Sequence, residues 1–292
     1  MKVVILYVLL ALQATAVAEA ELGKELEGAY QQWRTSMVAR DARMWQQVTA
    51  PHRQMEVRNR IVSQKQPFPA AVFDLPTAPP ALKGLKLLSA KQNGATAKAA
   101  FFGKVDFGVE GEPTENLLVL AFVKGGQGWL YDRADFVNLT ALPDVRKELA
   151  AGNVSYLKGV PEAQPSGVVP PVAISAAPAM TIAKVYVFCP GREVQVQVNK
   201  ISRHRFANAK DADLVIGGAV LGANEVQYSV KGLEGGTGKE AMTIRVYLLS
   251  EVPGMKPIKA FEYQVAENGA IKPFGTGSFA LDGVTAKQLS GK

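Results

Sequence analysis

The chain has 292 residues, a formal net charge of +7 at pH 7, one cysteine and two histidines. Its length allows two domains of ordinary size, each with its own hydrophobic core. A single cysteine excludes an internal disulfide, and two histidines in different halves of the chain do not make the ligand set of a zinc site, so we expect no bound metal or cofactor.

Residues 1–20, MKVVILYVLLALQATAVAEA, have the order of a secretory signal peptide. One lysine is followed by an uncharged apolar run and then by alanines in the A-x-A spacing of a cleavage site. We therefore expect an exported protein in the periplasm or on the cell surface of a bacterium. No second apolar run is long enough to span a bilayer, so we expect no transmembrane segment after cleavage.

Two helical segments are predicted next, on either side of Asp41. The apolar positions of the first are spaced by three and four residues: Leu26, Tyr30, Trp33 and Met37. A second stripe contains Trp45 and ends at Pro51. Because Asp41 lies where the first stripe stops, we interpret it as the N-cap of the second helix rather than as a catalytic acid. Its carboxylate should accept a hydrogen bond from the backbone N–H of Arg43 or Met44.

Beyond a proline-broken stretch, the pattern changes to short strand-like runs: LKLLSAKQNG, TAKAAFFGKVDFG, ENLLVLAFVKGG and GWLYDRADFVNL. They are separated by the turn signals Asn93-Gly94, VEGEPT and KGGQG. Helices followed by an antiparallel meander predict an α+β domain, with the helices on one face of a curved sheet.

Two opening helices with an aspartate at their junction, followed by strands that end in GWLYDRADF, resemble the NTF2-like superfamily. This is the cone-shaped α+β fold shared with ketosteroid isomerase and SnoaL-like proteins. The resemblance covers about residues 24–155 and implies an NTF2-like domain over residues 21–157, with a pocket between helices and sheet. The aromatic residues that it implies as candidate ligand-binding residues are Trp33, Trp129 and Tyr131.

In such a cone an acidic residue would act as the base of an enzyme. Strand alternation argues against Asp132 in this role, because Trp129 and Tyr131 share one face of their strand and Asp132 lies on the other. We expect a structural role for Asp132, paired with Arg133 or with a lysine of a neighbouring strand. We therefore name no catalytic residue.

Basic residues are concentrated between Arg34 and Lys65. Within this region the tract RNRIVSQKQPFP, residues 58–69, reads either as a solvated strand or loop or as the mouth of a pocket or a docking surface. Arg58 and Arg60 are therefore further candidate ligand-binding residues. In an exported protein such charge favours anionic lipid headgroups, acidic glycans or an acidic partner over nucleic acid.

Residues 158–180 contain five prolines and almost no charge. Neither a helix nor a central strand tolerates that density of prolines. We predict a semi-rigid, polyproline-like linker that separates two domains.

Residues 181–292 contain eight short runs rich in Val, Ile, Tyr and Phe, at the spacing of a β-sandwich. In REVQVQVN, Val194, Val196 and Val198 alternate with polar residues, which predicts one buried and one solvated face. The run VLGANEVQYSV resembles the Gly-x-Asn turn into a strand that recurs in immunoglobulin-like sandwiches of bacterial envelope proteins. We expect such a sandwich here, with a C-terminal tail.

Few side chains are available for catalysis. A Ser-His-Asp or Cys-His mechanism needs an imidazole beside its nucleophile. We expect His204, in SRHRF, on a strand surface, and His52 at a helix end where a carbonyl or the helix dipole satisfies it. Cys189 lies in a strand-like run and is expected to be a buried, inert thiol. The expectation is therefore a protein that is not an enzyme.

The favoured hypothesis is a non-catalytic bacterial envelope protein that binds a partner protein or a ligand through one or both domains. Two alternatives stay open. One is small-molecule binding or enzymatic activity in the NTF2-like pocket. The other is glycan or surface adhesion through the sandwich, which would require exposed aromatic residues, and the sequence offers Tyr228, Tyr247, Phe261 and Tyr263. The oligomeric state stays open as well.

Overall fold

The structure is a computed structural model that describes the backbone of residues 2–105 and 113–292 and the side chains of residues 17–105 and 113–292. The turn predicted at VEGEPT lies largely outside the described residues, as do most apolar side chains of the predicted signal peptide. Within the described part, helices at the N-terminus are followed by three four-stranded antiparallel sheets, so the fold is mixed α+β and mostly β. No helix there is both long enough and apolar enough to cross a bilayer.

The chain divides into two compact units. Unit 1 comprises Met1–Met55 and Val72–Ala173, and unit 2 comprises Glu56–Ala71 and Ile174–Lys292. One division point falls inside the proline-rich segment 158–180. Unit 2 is therefore assembled from two stretches of chain that are far apart in sequence.

The N-terminal helices are α1 (Lys2–Ala39), α2 (Ala42–Val48) and α3 (Pro51–Ser63). Asp41 stands between the first two, and its carboxylate accepts hydrogen bonds of 3.0 Å from the backbone N–H groups of Arg43 and Met44. The N-cap prediction is confirmed. These bonds satisfy two donors that the first turn of α2 would otherwise leave unpaired.

Pro51 does not act as predicted. It is the first residue of α3 rather than the end of a helix. Proline is favoured at this position because the first N–H of a helix has no intrahelical partner to lose. The interpretation of the tract from Arg58 as a strand or loop is consequently wrong as far as Ser63, where α3 ends.

The sheet of unit 1 is a meander of the four predicted strands, β1 (Lys86–Asn93), β2 (Thr96–Lys104), β3 (Glu115–Gly125) and β4 (Gly128–Val137). It is buried on both faces. On one face Phe101 and Leu118 pack with Leu26 of α1. On the other face Phe102 and Leu117 pack with residues of the following segment, which contains α4 (Pro143–Ala150) and two short 3₁₀ helices.

The proline-rich segment is held to the protein rather than free. Val160 and Ala163 are buried against the unit 1 sheet, and the backbone N–H of Gly167 donates to Thr96 Oγ1 over 2.9 Å. Further along, in unit 2, the Asn59 side chain donates to the carbonyl of Ile174 (2.8 Å) and accepts from the backbone N–H of Ala176 (2.9 Å). Prolines interrupt regular backbone pairing, so side chains supply the partners.

All eight strands predicted for the second half form, and they are β5 (Ala183–Phe188), β6 (Arg192–Val198), β7 (Ser202–Ala207), β8 (Lys210–Leu214), β9 (Gly222–Gly232), β10 (Met242–Leu248), β11 (Ile258–Val265) and β12 (Phe274–Leu281). The strand orders of the two sheets are β11-β10-β5-β8 and β12-β9-β6-β7. A helix that the sequence did not predict, α5 (Gly283–Ser290), follows them.

One hydrophobic core lies between the two sheets of unit 2. Val194 and Val196 of β6 share it with Val185 and Val187 of β5. The alternation predicted for REVQVQVN is confirmed, because its valines are buried while the polar residues between them face outward. Cys189 is buried in the same core as a free thiol, and desolvation raises its pKa. A raised pKa lowers the thiolate fraction, as expected of an inert cysteine.

Candidate functional site

The aromatic residues proposed as a pocket lining pack against each other between α1 and the unit 1 sheet. Trp33 and Tyr131 stack with ring centroids 3.9 Å apart, and the ring of Tyr30 lies 5.7 Å from that of Tyr131. The Tyr30 hydroxyl donates to the carbonyl of Pro80 over 2.8 Å. Burial raises the pKa of Tyr30 to about 12. Burial is also the main cause that raises the pKa of Tyr131. These phenols therefore stay neutral, and their rings pack in a hydrophobic core of unit 1.

Trp129 lies on the same strand, next to the turn that connects β3 and β4. Its indole N–H donates to Glu25 over 3.2 Å, and the ammonium of Lys124 lies 5.5 Å from its ring centroid. It borders an open polar groove of about 500 Å³ in unit 1, which also contains Gln32 and Gln127. The indole is only 9 % exposed, so the groove meets little of its aromatic surface.

His52 and Asp132 form a buried pair in unit 1. His52 Nε2 lies 2.8 Å from Asp132 Oδ1, and the two side chains are 9 % and 10 % exposed. The prediction that a carbonyl or the end of a helix satisfies His52 is wrong. The strand pairing is irregular here, because Phe122 pairs with Tyr131 while Ala121 pairs with Arg133, so that Asp132 has no partner residue in the ladder.

The main partner of Asp132 is thus His52 rather than the arginine or lysine that was expected. Arg133 is 4.0 Å from Asp132 Oδ2, which is a weaker contact. Lys98 of β2, which is separated from β4 by β3, pairs instead with Asp135 at 3.0 Å, and Arg133 Nε donates to the same carboxylate at 3.2 Å. Each acid of this strand therefore has a cationic or imidazole partner.

Arg58 and Arg60 belong to unit 2, whereas Trp33, Trp129 and Tyr131 belong to unit 1. Arg58 donates to the carbonyl of Ala176 over 2.9 Å. Arg60 donates to Asp213 Oδ1 over 3.1 Å. The ammonium of Lys65 bonds to Glu251. Arg58, Arg60 and Lys65 thus all form contacts within unit 2.

A chain of hydrogen bonds in unit 2 has the order of a catalytic triad. Ser202 Oγ lies 2.7 Å from His204 Nε2, and His204 Nδ1 lies 3.0 Å from Asp213 Oδ2. A carboxylate only accepts, so we assign the imidazole proton to Nδ1, which leaves Nε2 to accept from the serine hydroxyl. Contact with His204 is the main cause that lowers the pKa of Asp213.

This chain of hydrogen bonds is closed to substrate. Ser202 has no exposed surface, and its Oγ also accepts the backbone N–H of Ile216 over 2.7 Å. A serine nucleophile must reach the carbonyl carbon that it attacks. The arrangement therefore ties β7 to the turn after β8, and we assign it a structural role.

The prediction that His204 lies on a strand surface is wrong, since its exposed fraction is 6 %. The hydrogen-bond partners of His204 could have been predicted in part from the sequence. Ser202 and His204 are two residues apart on one strand and so share a face. Asp213, by contrast, lies on β8 of the other sheet, and no local pattern connects it to β7.

The outward face of the sheet β12-β9-β6-β7 is open. Two adjacent rows of outward-facing side chains cross its four strands. From β7 to β12, one row reads Arg203, Gln197, Gln227 and Thr276, and the next reads Arg205, Gln195, Ser229 and Phe274. Every member except Phe274 has a side chain that can form hydrogen bonds. We call these eight residues the polar face.

Two grooves lie on this side of the sheet. One, of about 410 Å³, is lined by residues that include Gln195, Gln197 and Arg203. The other, of about 560 Å³, is lined by residues that include Thr276 and Ser278. The aromatic residues considered earlier for glycan stacking are not on this face: Tyr228 and Tyr263 stack on each other at 4.5 Å and, with Phe261, pack on the core. The aromatic residue that is exposed here is Phe274, at 76 %, which the sequence reading missed.

No protein-family model, no curated protein and no solved structure matches this chain.

Proposed function

We propose that the chain is an exported, non-catalytic binding protein of a bacterial envelope that holds its ligand on the polar face of unit 2. The single observation that carries the proposal is the contrast between this exposed face and the closed interiors. In this proposal unit 1 is an NTF2-like domain and unit 2 an immunoglobulin-like sandwich. An N-terminal helix packed on an antiparallel meander supports the first assignment, and two sheets around one core support the second.

Burial of the reactive groups supports a function without catalysis. The Tyr131 ring is buried in unit 1 with the partly buried Trp33 stacked on it, and the Ser202 hydroxyl has no exposed surface. Export is supported by the signal-peptide order of the first twenty residues.

Binding through the polar face is supported by its side chains. Gln195 and Gln227 are exposed, and an amide both donates and accepts hydrogen bonds. The face is an ordered grid, because neighbouring strands fix the lateral spacing at about 4.8 Å. A ligand with regularly spaced polar groups can engage several members at once, which a disordered polar surface does not allow.

The proposal is tested by co-sedimentation of the full chain with isolated bacterial envelopes. We expect the wild-type chain to sediment with them, and the double variant Gln197→Ala/Gln227→Ala to bind about tenfold less tightly through loss of two amide contacts. A matched control is Gln264→Ala/Gln288→Ala, which removes two exposed glutamines of unit 2 outside the polar face. Equal sedimentation of the wild type and the first variant would refute the proposal.

A second measurement separates binding from hydrolysis. Ser202 should not react with a fluorophosphonate probe in the folded chain, because its hydroxyl is buried. Labelling that disappears in the variants Ser202→Ala and His204→Ala would show an active triad and contradict a non-catalytic function.

A further inference from the structure

We infer that the ligand of the polar face is an acidic polysaccharide, bound as an extended chain across the strands. This inference rests on the proposed function and names the class of ligand for the same site. It depends on three observations: the absence of carboxylates from both rows, the arginines at one end of each, and the exposed ring of Phe274.

The carboxylates of this side of the sheet lie outside the two rows and have partners. Glu193 accepts from Arg205 at 2.6 Å and from Gln195 at 3.0 Å. Glu225 accepts from Gln227 at 2.8 Å. The contact with Arg205 is the main cause that lowers the pKa of Glu193 to about 2. These bonds hold the side chains of the rows in place and leave the second proton of each amide for a ligand.

Arg203 is the cation available to a ligand. It is exposed, lies beside Gln197 in the register, and has no ion pair within the part of the chain that the structure describes. A guanidinium binds a carboxylate or sulfate in a two-point arrangement that a lysine does not offer. Lys200 lines the adjoining groove, and Lys231 is exposed on β9. Near these grooves the cations outnumber the carboxylates, so the charge complements an anionic ligand.

The opposite end of the second row supplies an apolar surface. Phe274 is paired with Ser229 in the register and is 76 % exposed. The C–H face of a pyranose ring packs on the face of an aromatic ring, whereas an extended peptide has no equivalent flat apolar side. Arginine at one end, amides and hydroxyls in the middle and a phenyl ring at the other end match a chain of acidic sugars.

The size of the surface favours a polymer. Four strands span roughly 14 Å from the first to the last, as three interstrand spacings. The two grooves are neighbours on it, because Gln227 of the first is paired with Thr276 of the second. An extended chain that follows one row therefore passes from one groove into the other.

The test measures binding of the full chain to three polymers by biolayer interferometry at low ionic strength. Polygalacturonate is a linear polymer of acidic sugars, its fully methyl-esterified form has the same backbone without charge, and poly-L-glutamate has the charge without sugar rings. We expect polygalacturonate to bind at least tenfold more tightly than either of the other two. Since the contact is partly ionic, its affinity should fall with added salt.

Variants then locate the site. Arg203→Ala and Phe274→Ala should each weaken binding of polygalacturonate about tenfold, the effect of one charge-assisted or stacking contact. Lys184→Ala removes the same charge from the opposite sheet and Phe136→Ala removes another exposed phenylalanine, in unit 1, and both should bind within twofold of wild type. All four positions are exposed, so circular dichroism spectra should match that of the wild type.

Each contrary result has its own meaning. Equal binding of the methyl ester would show a neutral glycan site, and equal binding of poly-L-glutamate would show attraction by charge alone; either overturns the acidic polysaccharide. Unchanged binding in Arg203→Ala overturns the assigned site. If no polymer binds while envelope binding still depends on Gln197 and Gln227, this inference fails and the proposed function stands. If envelope binding does not depend on Gln197 and Gln227 either, the inference and the proposed function are both refuted.

Discussion

Replacing Asp132 by alanine should lower the free energy of unfolding of unit 1 by about 3 kcal/mol. The substitution leaves the His52 imidazole without its carboxylate partner at 2.8 Å. Breaking a buried pair by removing one partner costs about 3–5 kcal/mol, because the remaining polar group keeps its desolvation penalty. We take the lower end of this range because the two side chains keep 9 % and 10 % exposure.

The assay relies on the positions of the tryptophans in the chain. All three tryptophans, Trp33, Trp45 and Trp129, belong to unit 1. Intrinsic tryptophan fluorescence of the full chain therefore follows the unfolding of unit 1 without interference from unit 2. For a domain of this size a loss of 3 kcal/mol corresponds to a Tm lower by about 10 °C.

A double-mutant cycle isolates the interaction. His52→Ala and the double variant complete it, and the double variant should lose little more stability than either single variant. We expect a coupling energy of about 2 kcal/mol, within the range for contacting residues. A coupling below about 0.5 kcal/mol, as found for exposed ion pairs, would refute the reasoning from burial.

Three further results are expected. Asp41→Ala should cost about 1 kcal/mol by the same fluorescence assay, since it removes the cap of α2; an unchanged Tm would contradict that role. Gly218→Ala should destabilise unit 2 by about 2 kcal/mol in circular dichroism melting, because φ is +62° and the new Cβ would collide with the carbonyl oxygen of Thr181; a neutral effect would show that the turn can shift. The pKa of Asp213 is lowered, so its contribution is complete above the unfolded value of about 3.9 and is lost as the pH falls through the folded value. Urea midpoints of Asp213→Asn should therefore depend less on pH in the acid range than those of the wild type, and parallel curves would contradict this.

Local patterns predicted the strands of this chain better than its later helices, since α4 and α5 were not predicted. Strict alternation in β6 and turn residues between strands reflect sterics and burial within a few residues, and these are visible in sequence. The Asp41 cap is of the same kind, because its partners Arg43 and Met44 lie two and three residues away. Pro51 was misread because proline both ends and begins helices, and only the residues that follow decide between the two.

The candidate sites depend on pairs that are distant in sequence. His52 and Asp132 are 80 residues apart, and Arg60 and Asp213 are 153 apart. No periodicity connects such residues, and the register shift at Asp132 is not visible in the sequence pattern either. The polar face was partly visible as the glutamines of β6. Its arginines and Phe274 join it only through the order of the strands, which a single sequence does not specify.

The division of unit 2 into two stretches has a consequence for the timing of its folding. Asn59 binds Ile174, which is 115 residues further along the chain, and Ser63 accepts the backbone N–H of Gly217, which is 154 residues further. At about 5–20 residues per second, a ribosome needs roughly 6–23 s to reach Ile174 after it has made Asn59. Throughout that interval the second half of α3 exists without the β-strands on which it finally rests.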